Sequence, residues 1–284
     1  MRKLLIIISI TIAAIACRRE IYEDIPFAEP KPVVYGIMCA DSLLSLHLSI
    51  SGQVNATAFD TISNAVVWLF QDEVAFEQLS HTGSEWYTTS MPLPAGHIYR
   101  CEIDIPGYKR VTCTDSIPMP QKILDAKYNR NVGIDNDNGP YGELALHFTN
   151  KPNSKCYFNI ATRPVPGYMH SNSNYAIDYQ TDSVLLNENR LWNGIAFSNE
   201  LINTESYTLH VNYFVQSNAL IFELQTISYN LYAYILQMQQ YRENLSPEIG
   251  QHIVPTYIHS NITNGYGLFA GYSIDLSEPI VDLR

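Results

Sequence analysis

Apolar and polar positions along this chain fall mostly into short runs of period two, separated by turn residues. Val33–Ala40 is a first predicted strand. Leu44-Ser-Leu-His-Leu-Ser-Ile50 alternates cleanly, so it buries one face. Ala65-Val-Val-Trp-Leu-Phe70 is nearly continuous and reads as a central strand. Glu85-Trp-Tyr-Thr-Thr follows a Thr82-Gly83-Ser84 turn, and Tyr99–Ile105 follows Pro94-Ala95-Gly96. The stretch Tyr99 to Cys113 reads as a hairpin turning at Pro106-Gly107, which sets Cys101 opposite Cys113 and Ile103 opposite Val111. Further strands are predicted at Gly142–Thr149, Cys156–Thr162, Tyr175–Tyr179, Tyr207–Val215 and Ala219–Leu224. Polar loops lie between them, the longest over residues 163–174 and 180–206.

One segment changes period. After Ser228, a plausible N-cap, the residues Leu231, Tyr234, Ile235, Met238 and Tyr241 recur at helical spacing, which predicts a helix near residues 228–243. Its Tyr and Met stripe is core before it is a binding surface. The pattern therefore predicts a mainly β protein of two sandwich-like domains. The first, residues 33–119, is of transthyretin-like or immunoglobulin-like type and ends at Pro118 and Pro120; the second, residues 120–284, carries the helix packed on it.

The N-terminus does not fit either domain. Arg2 and Lys3 precede the apolar run Leu4-Leu-Ile-Ile-Ile8, which continues after Ser9 to Ile15; Ala14-Ile15-Ala16 then precede Cys17. This order of charge, apolar stretch and small residues is a secretory signal, assigned to residues 1–16. It is shorter than the roughly 20 residues that span a bilayer. A cysteine at the cleavage point makes Cys17 the expected lipid-bearing first residue, although Ala14 stands where such signals usually have Leu. Residues 17–32, with Pro26, Pro30 and Pro32 among charged side chains, read as a tether.

The chain has 28 acidic residues against 17 basic, a net charge of −11. Losing Arg2 and Lys3 leaves 15 basic residues and a mature charge of 15 minus 28, or −13. That argues against nucleic-acid binding, which needs a basic face, and against broad adhesion to anionic lipid. Besides Cys17 there are Cys39, Cys101, Cys113 and Cys156. An exported protein can form disulfides; Cys101 and Cys113 are either bonded or small buried hydrophobes.

The C-terminal stretch reads Ile253-Val-Pro-Thr-Tyr-Ile-His-Ser-Asn-Ile-Thr-Asn-Gly-Tyr-Gly-Leu-Phe-Ala-Gly-Tyr272. With Ile227-Ser-Tyr-Asn-Leu-Tyr-Ala-Tyr234, it resembles a Bacteroidota lipoprotein family known only as a domain of unknown function, number 4249. Ser228, Tyr232 and Tyr234 match that family's helix start. Ser260, Asn261, Ile262, Asn264, Gly265, Gly267 and Phe269 match its second motif, with Leu268 in place of Ile and Ala270 before Gly271. Weaker echoes are Leu191-Trp-Asn-Gly194, Tyr99-Arg-Cys-Glu-Ile103 and Thr114-Asp-Ser-Ile-Pro118. The resemblance implies a lipoprotein often encoded beside a TonB-dependent outer-membrane transporter, and it carries over no catalytic residue. Physically the second motif reads as architecture: Asn264-Gly265 is a turn dipeptide, and Gly267 and Gly271 allow positive φ or close approach.

The eight histidines stand singly, with no metal pair, no Cys-x-x-Cys and no Gly-x-Ser-x-Gly. Asp135-Asn-Asp-Asn-Gly139 resembles part of a calcium loop but lacks its distant bidentate Glu. No catalytic residue, metal or cofactor is nominated. Asp followed by Ser or Thr and an aliphatic residue recurs at Ser42, Thr61, Ser116 and Ser183; this is either an O-glycosylation acceptor pattern or turn-then-strand chemistry. Tyr168, Tyr175 and Trp192 sit in long polar loops and are candidate contacts for a glycan or a partner protein. The reading that follows is a non-catalytic accessory or ligand-binding outer-membrane lipoprotein working with a TonB-dependent transporter. A structural or adhesive surface module is the alternative, and a hydrolase with an unrecognised site a more distant one. The cell surface is favoured over the periplasmic face, although Arg18-Arg19 precede the acidic Glu20, Glu23 and Asp24 that surface export favours.

Overall fold

The computed structural model describes residues 29–52, 59–83, 85–135, 139–169, 175–176, 182–185, 190–191, 194–245 and 256–281. The protein is mainly β, and its strands form three sheets. The largest is ten-stranded and runs β13 (Arg190–Leu191), β14 (Gly194–Ser198), β11 (Tyr157–Pro164), β16 (Ala219–Ile227), β18 (Tyr266–Leu276), β1 (Pro32–Cys39), β2 (Ser45–Ile50), β6 (Trp86–Thr88), β5 (Ser80–Gly83), with β19 (Ile280–Val281) beside β16. A five-stranded sheet runs β17 (Ile262–Thr263), β8 (Val111–Ile117), β7 (His97–Asp104), β3 (Val66–Gln71), β4 (Val74–Gln78). A four-stranded sheet runs β12 (Tyr175–Ala176), β15 (Ser206–Phe214), β10 (Gly139–Thr149), β9 (Ile123–Asp135).

The two small sheets lie side by side on one face of the large one, and each encloses its own core. Val34, Met38, Leu46, Leu48, Leu69, Tyr99, Cys101 and Phe269 fill the first. Leu144, Phe148, Phe158, Phe197, Val211, Phe222 and Leu224 fill the second. Strand alternation explains the division of labour. On β18, Phe269 points into the first core, while its neighbours Leu268 and Ala270 point to the opposite face.

That opposite face carries the helix α1 (Tyr229–Leu245). Leu231 and Ile235 pack with Ala196 and Ile227, but also with Leu268, Ala270 and Ile37. The expected helix is present within two residues of its predicted ends. It packs on strands of the second half, as expected, and also reaches Ile37 of β1 across the seam.

The expected break at residue 119 does not divide the sheet either. β18 pairs antiparallel with β16 and, on its other edge, parallel with β1. β17 pairs with β8, placing Ile262 opposite Cys113. The C-terminal motif thus completes the first sandwich as well as the second. A parallel pair between the first and a late strand needs a long crossover, which local periodicity does not reveal. Residues 118–122 cross the seam, where Gln121 N–H donates to Thr226 Oγ1 (3.0 Å) and Ile123 N–H to the Asp275 carboxylate (2.7 Å).

Candidate functional site

The family-like residues converge at the N-terminus of α1. Ser228 caps the helix: its Oγ accepts the Leu231 N–H at 3.2 Å, and its hydroxyl donates to Asp115 on β8 at 2.5 Å. The same Asp115 carboxylate accepts the Gly271 N–H at 3.2 Å, and Ser228 N–H donates to Gly271 O at 2.9 Å. Three segments far apart in sequence therefore meet on one carboxylate. Burial pushes the Asp115 carboxyl above its ordinary range, against the opposing pull of hydrogen bonds from Ser228, Ser116, Asn230 and Gly271. Asn230 also faces His259 Nε2 at 2.8 Å, and burial lowers the His259 pKa.

Asn261 extends the ladder with its side chain. Its Nδ2 donates to Phe269 O (2.7 Å) and to Thr114 O (3.2 Å), while its Oδ1 accepts the Phe269 N–H (3.0 Å). Asn264 sits at φ +61° in the predicted turn and donates to Arg110 O (2.9 Å). Gly267 is at φ +115°, and a Cβ there would lie 1.9 Å from Val34 O; one on Gly271 would lie 2.3 Å from Ser116 O. Gly265 approaches Pro32 O in the same way. Ser260 is exposed, and Tyr232 and Tyr234 pack between helix and sheet. The motif is a joint: its hydroxyl and carboxylate saturate each other, with no vacant coordination or open nucleophile between them.

A second polar cluster was not foreseen. On the helix-bearing face, Asn159 Nδ2 donates to Gln225 Oε1 (2.8 Å), Gln225 Nε2 donates to Glu223 Oε1 (2.6 Å), and Arg163 pairs with the other oxygen of Glu223. Glu223 is only 4% exposed. Asn159 Oδ1 is buried without a partner. The track runs toward Tyr272, whose phenol is pushed up to about 12 by burial and by contact with Cys39. It opens into a notch of about 520 Å³ where β1 ends, lined among others by Cys39, Ser42, Arg163 and Tyr272. The signal was present: Glu223 interrupts the apolar run Ala219-Leu-Ile-Phe-Glu-Leu, and a buried charge on a sheet face is the informative exception.

The remaining nominated residues are scattered. Cys101 and Cys113 stand directly opposite as buried free thiols, and burial, then contact with Cys101, raises the Cys113 pKa well above normal. Ser42 and Thr61 are exposed; Ser116 is half-buried within β8; Ser183 is exposed at the start of a 3-10 turn. Of the aspartates before them, Asp182 makes a local turn bond from the Val184 N–H (3.0 Å) and a long-range one from the His210 N–H (3.1 Å), whereas Asp115 lies within β8 and belongs to the joint at Ser228. The following Ile62, Ile117 and Val184 enter the core. Tyr168 is 49% exposed beside the equally open Met169. Tyr175 lies on β12 opposite Phe214. Cys17, Trp192 and the centre of the calcium-like turn lie outside the described residues. Among the described residues, no group of three or more His, Cys, Asp or Glu side chains is arranged to hold a metal, and no helix is long and apolar enough to cross a membrane.

Sequence similarity assigns the chain to a family. It belongs to the family described as Domain of unknown function (DUF4249), whose model matches residues 18–277. No curated protein matches it. Among solved structures it is similar to BcpA, the major pilin subunit of Bacillus cereus, at 9% identity and a TM-score of 0.24, covering 89% of this chain and 69% of that one.

Proposed function

We propose that this protein is a lipid-anchored outer-membrane accessory, non-catalytic, that serves as a binding partner of a TonB-dependent transporter in a Bacteroidota cell. The observation that carries the reading is the join between sequence and family. The family match begins at Arg18, the residue after the cysteine that ends the signal-like segment. The described body lends support through its polarity. The tether enters at the start of β1, where Lys31 N–H donates to Ser51 Oγ at 2.9 Å. The loop bearing Tyr168 follows the far end of β11, next to Asn218. Counting strand residues from Val33 along β18 and β16 to Ala219 separates these poles by roughly 45 Å at about 3.3 Å per residue. An anchored body is thereby left with exposed loops free to reach a neighbour.

Growing cells on an alkyne-tagged palmitate tests the anchor. The wild-type protein should incorporate the label and sediment with outer membranes. Cys17→Ser should lose both, and label retained in that variant would refute the assignment.

A further inference from the structure

The large sheet has an unfilled place beside β18. Hydrogen bonds fix which β18 residues face which neighbour. Ser277 N–H donates to Phe222 O, and Ser228 N–H donates to Gly271 O, so odd-numbered residues of this strand bond toward β16. Even-numbered residues therefore turn their N–H and C=O toward β1. Tyr272 O is met there by the Ala40 N–H at 3.0 Å. Beyond that point β1 is gone, because the chain swings away at Asp41, held at φ +57°. The Ala40 carbonyl accepts the Ser42 hydroxyl at 3.3 Å. Ile274 is left with its N–H and C=O facing the notch.

Two further observations lie at the same place. Ser273 is wholly buried, lines the notch, and its Oγ has no hydrogen-bond partner. Arg163, half exposed, reaches the notch with its charge balanced by Glu223, so it offers N–H donors rather than net charge. Asp41 is the remaining charged residue of the lining. An unpaired, unprotected strand edge is a template for another strand, and an orphaned buried hydroxyl at that edge calls for an occupant.

We propose that the notch is a strand-addition site: an extended peptide segment of a partner protein, neutral or basic in side-chain charge, continues the line of β1 and pairs with Ile274 of β18. Main-chain bonds to Ile274 supply the affinity, the outward N–H groups of Arg163 add polar contacts, and Asp41 discriminates against acidic segments. The inference stands independently of the lipid anchor and of the transporter partnership.

The test uses the full mature chain in detergent and a fluorescein-labelled Lys-Val-Thr-Val-Thr amide peptide, since backbone pairing tolerates side-chain identity. Anisotropy should show saturable binding, and hydrogen exchange should slow over residues 273–277. Ser42→Trp, an exposed position that fills the notch, should weaken binding at least tenfold. Ile274→Pro should do the same, as it removes the outward N–H and leaves the bonds to β16 in place. An analogue with the central amide replaced by an ester, and one with Glu for Lys, should bind more weakly. No saturation at millimolar peptide, binding that survives Ser42→Trp, or protection confined to another segment would each overturn the proposal. So would protection of residues 273–277 that grows with protein concentration alone, which would place a second copy on the edge.

Discussion

At the scale of single residues, the most consequential atom group is the Asp115 carboxylate. It accepts from Ser228, Ser116, Asn230 and Gly271 in a half-buried setting, so truncation strips these donors of their shared acceptor. Asp115→Ala should cost about 2–4 kcal/mol in urea unfolding, and Asp115→Asn less. The pH dependence has a definite sign. The folded pKa lies above the ordinary 3.8 because burial outweighs the hydrogen bonds. Between those two values the native state holds the proton more tightly than the unfolded chain. This group therefore adds stability below 3.8, and that contribution is lost as pH rises through the folded pKa. The stability difference between wild type and Asp115→Asn should shift toward wild type on acidification through this window. A difference independent of pH would show that burial does not dominate. Gly267 gives a backbone counterpart. Gly267→Ala places a Cβ against Val34 O at a φ that L residues avoid, and should cost about 3 kcal/mol or more.

At the scale of elements, β18 is the shared part. It contributes Phe269 to the first core, Leu268 and Ala270 to the helix contact, and pairs with both halves of the sheet. A fragment of residues 29–120 therefore lacks a central strand of its own sandwich. Alone it should give no dispersed NMR spectrum, and adding a peptide of residues 256–281 should restore one. A folded fragment without the peptide would contradict the shared-strand account. The sequence shows how much of this was legible. Alternation or a continuous apolar run located β1, β2, β3, β7, β8, β10, β11, β15 and β16, and the cap with helical spacing located α1. Asn264-Gly265 announced its turn. β9 escaped because its exposed edge carries little apolar signal, and β18 escaped because glycine and short side chains there looked like loop punctuation. Those glycines are where two backbones meet, a long-range fact that no local period contains. The polar track was hidden for a related reason: Asn159, Arg163, Glu223 and Gln225 become neighbours only once β11 and β16 are paired.

At the scale of the whole molecule, one sheet spans both cores, so the halves should not unfold separately. Calorimetry of the mature chain should show a single transition, and Gly267→Ala should lower the melting of probes in both halves together. Two independent transitions would mean that the seam held by Asp275 and Thr226 is weaker than its hydrogen bonds indicate. A single body with its tether at one pole and its exposed Tyr168 loop at the other suits a protein that works by position. The most direct measurement is affinity isolation of the lipidated protein from gently solubilised native membranes, with a photo-crosslinker in place of Tyr168. The account predicts a TonB-dependent β-barrel transporter in the eluate and in the crosslinked adduct. Recovery of the protein alone, with no transporter retained and no adduct formed, would contradict it.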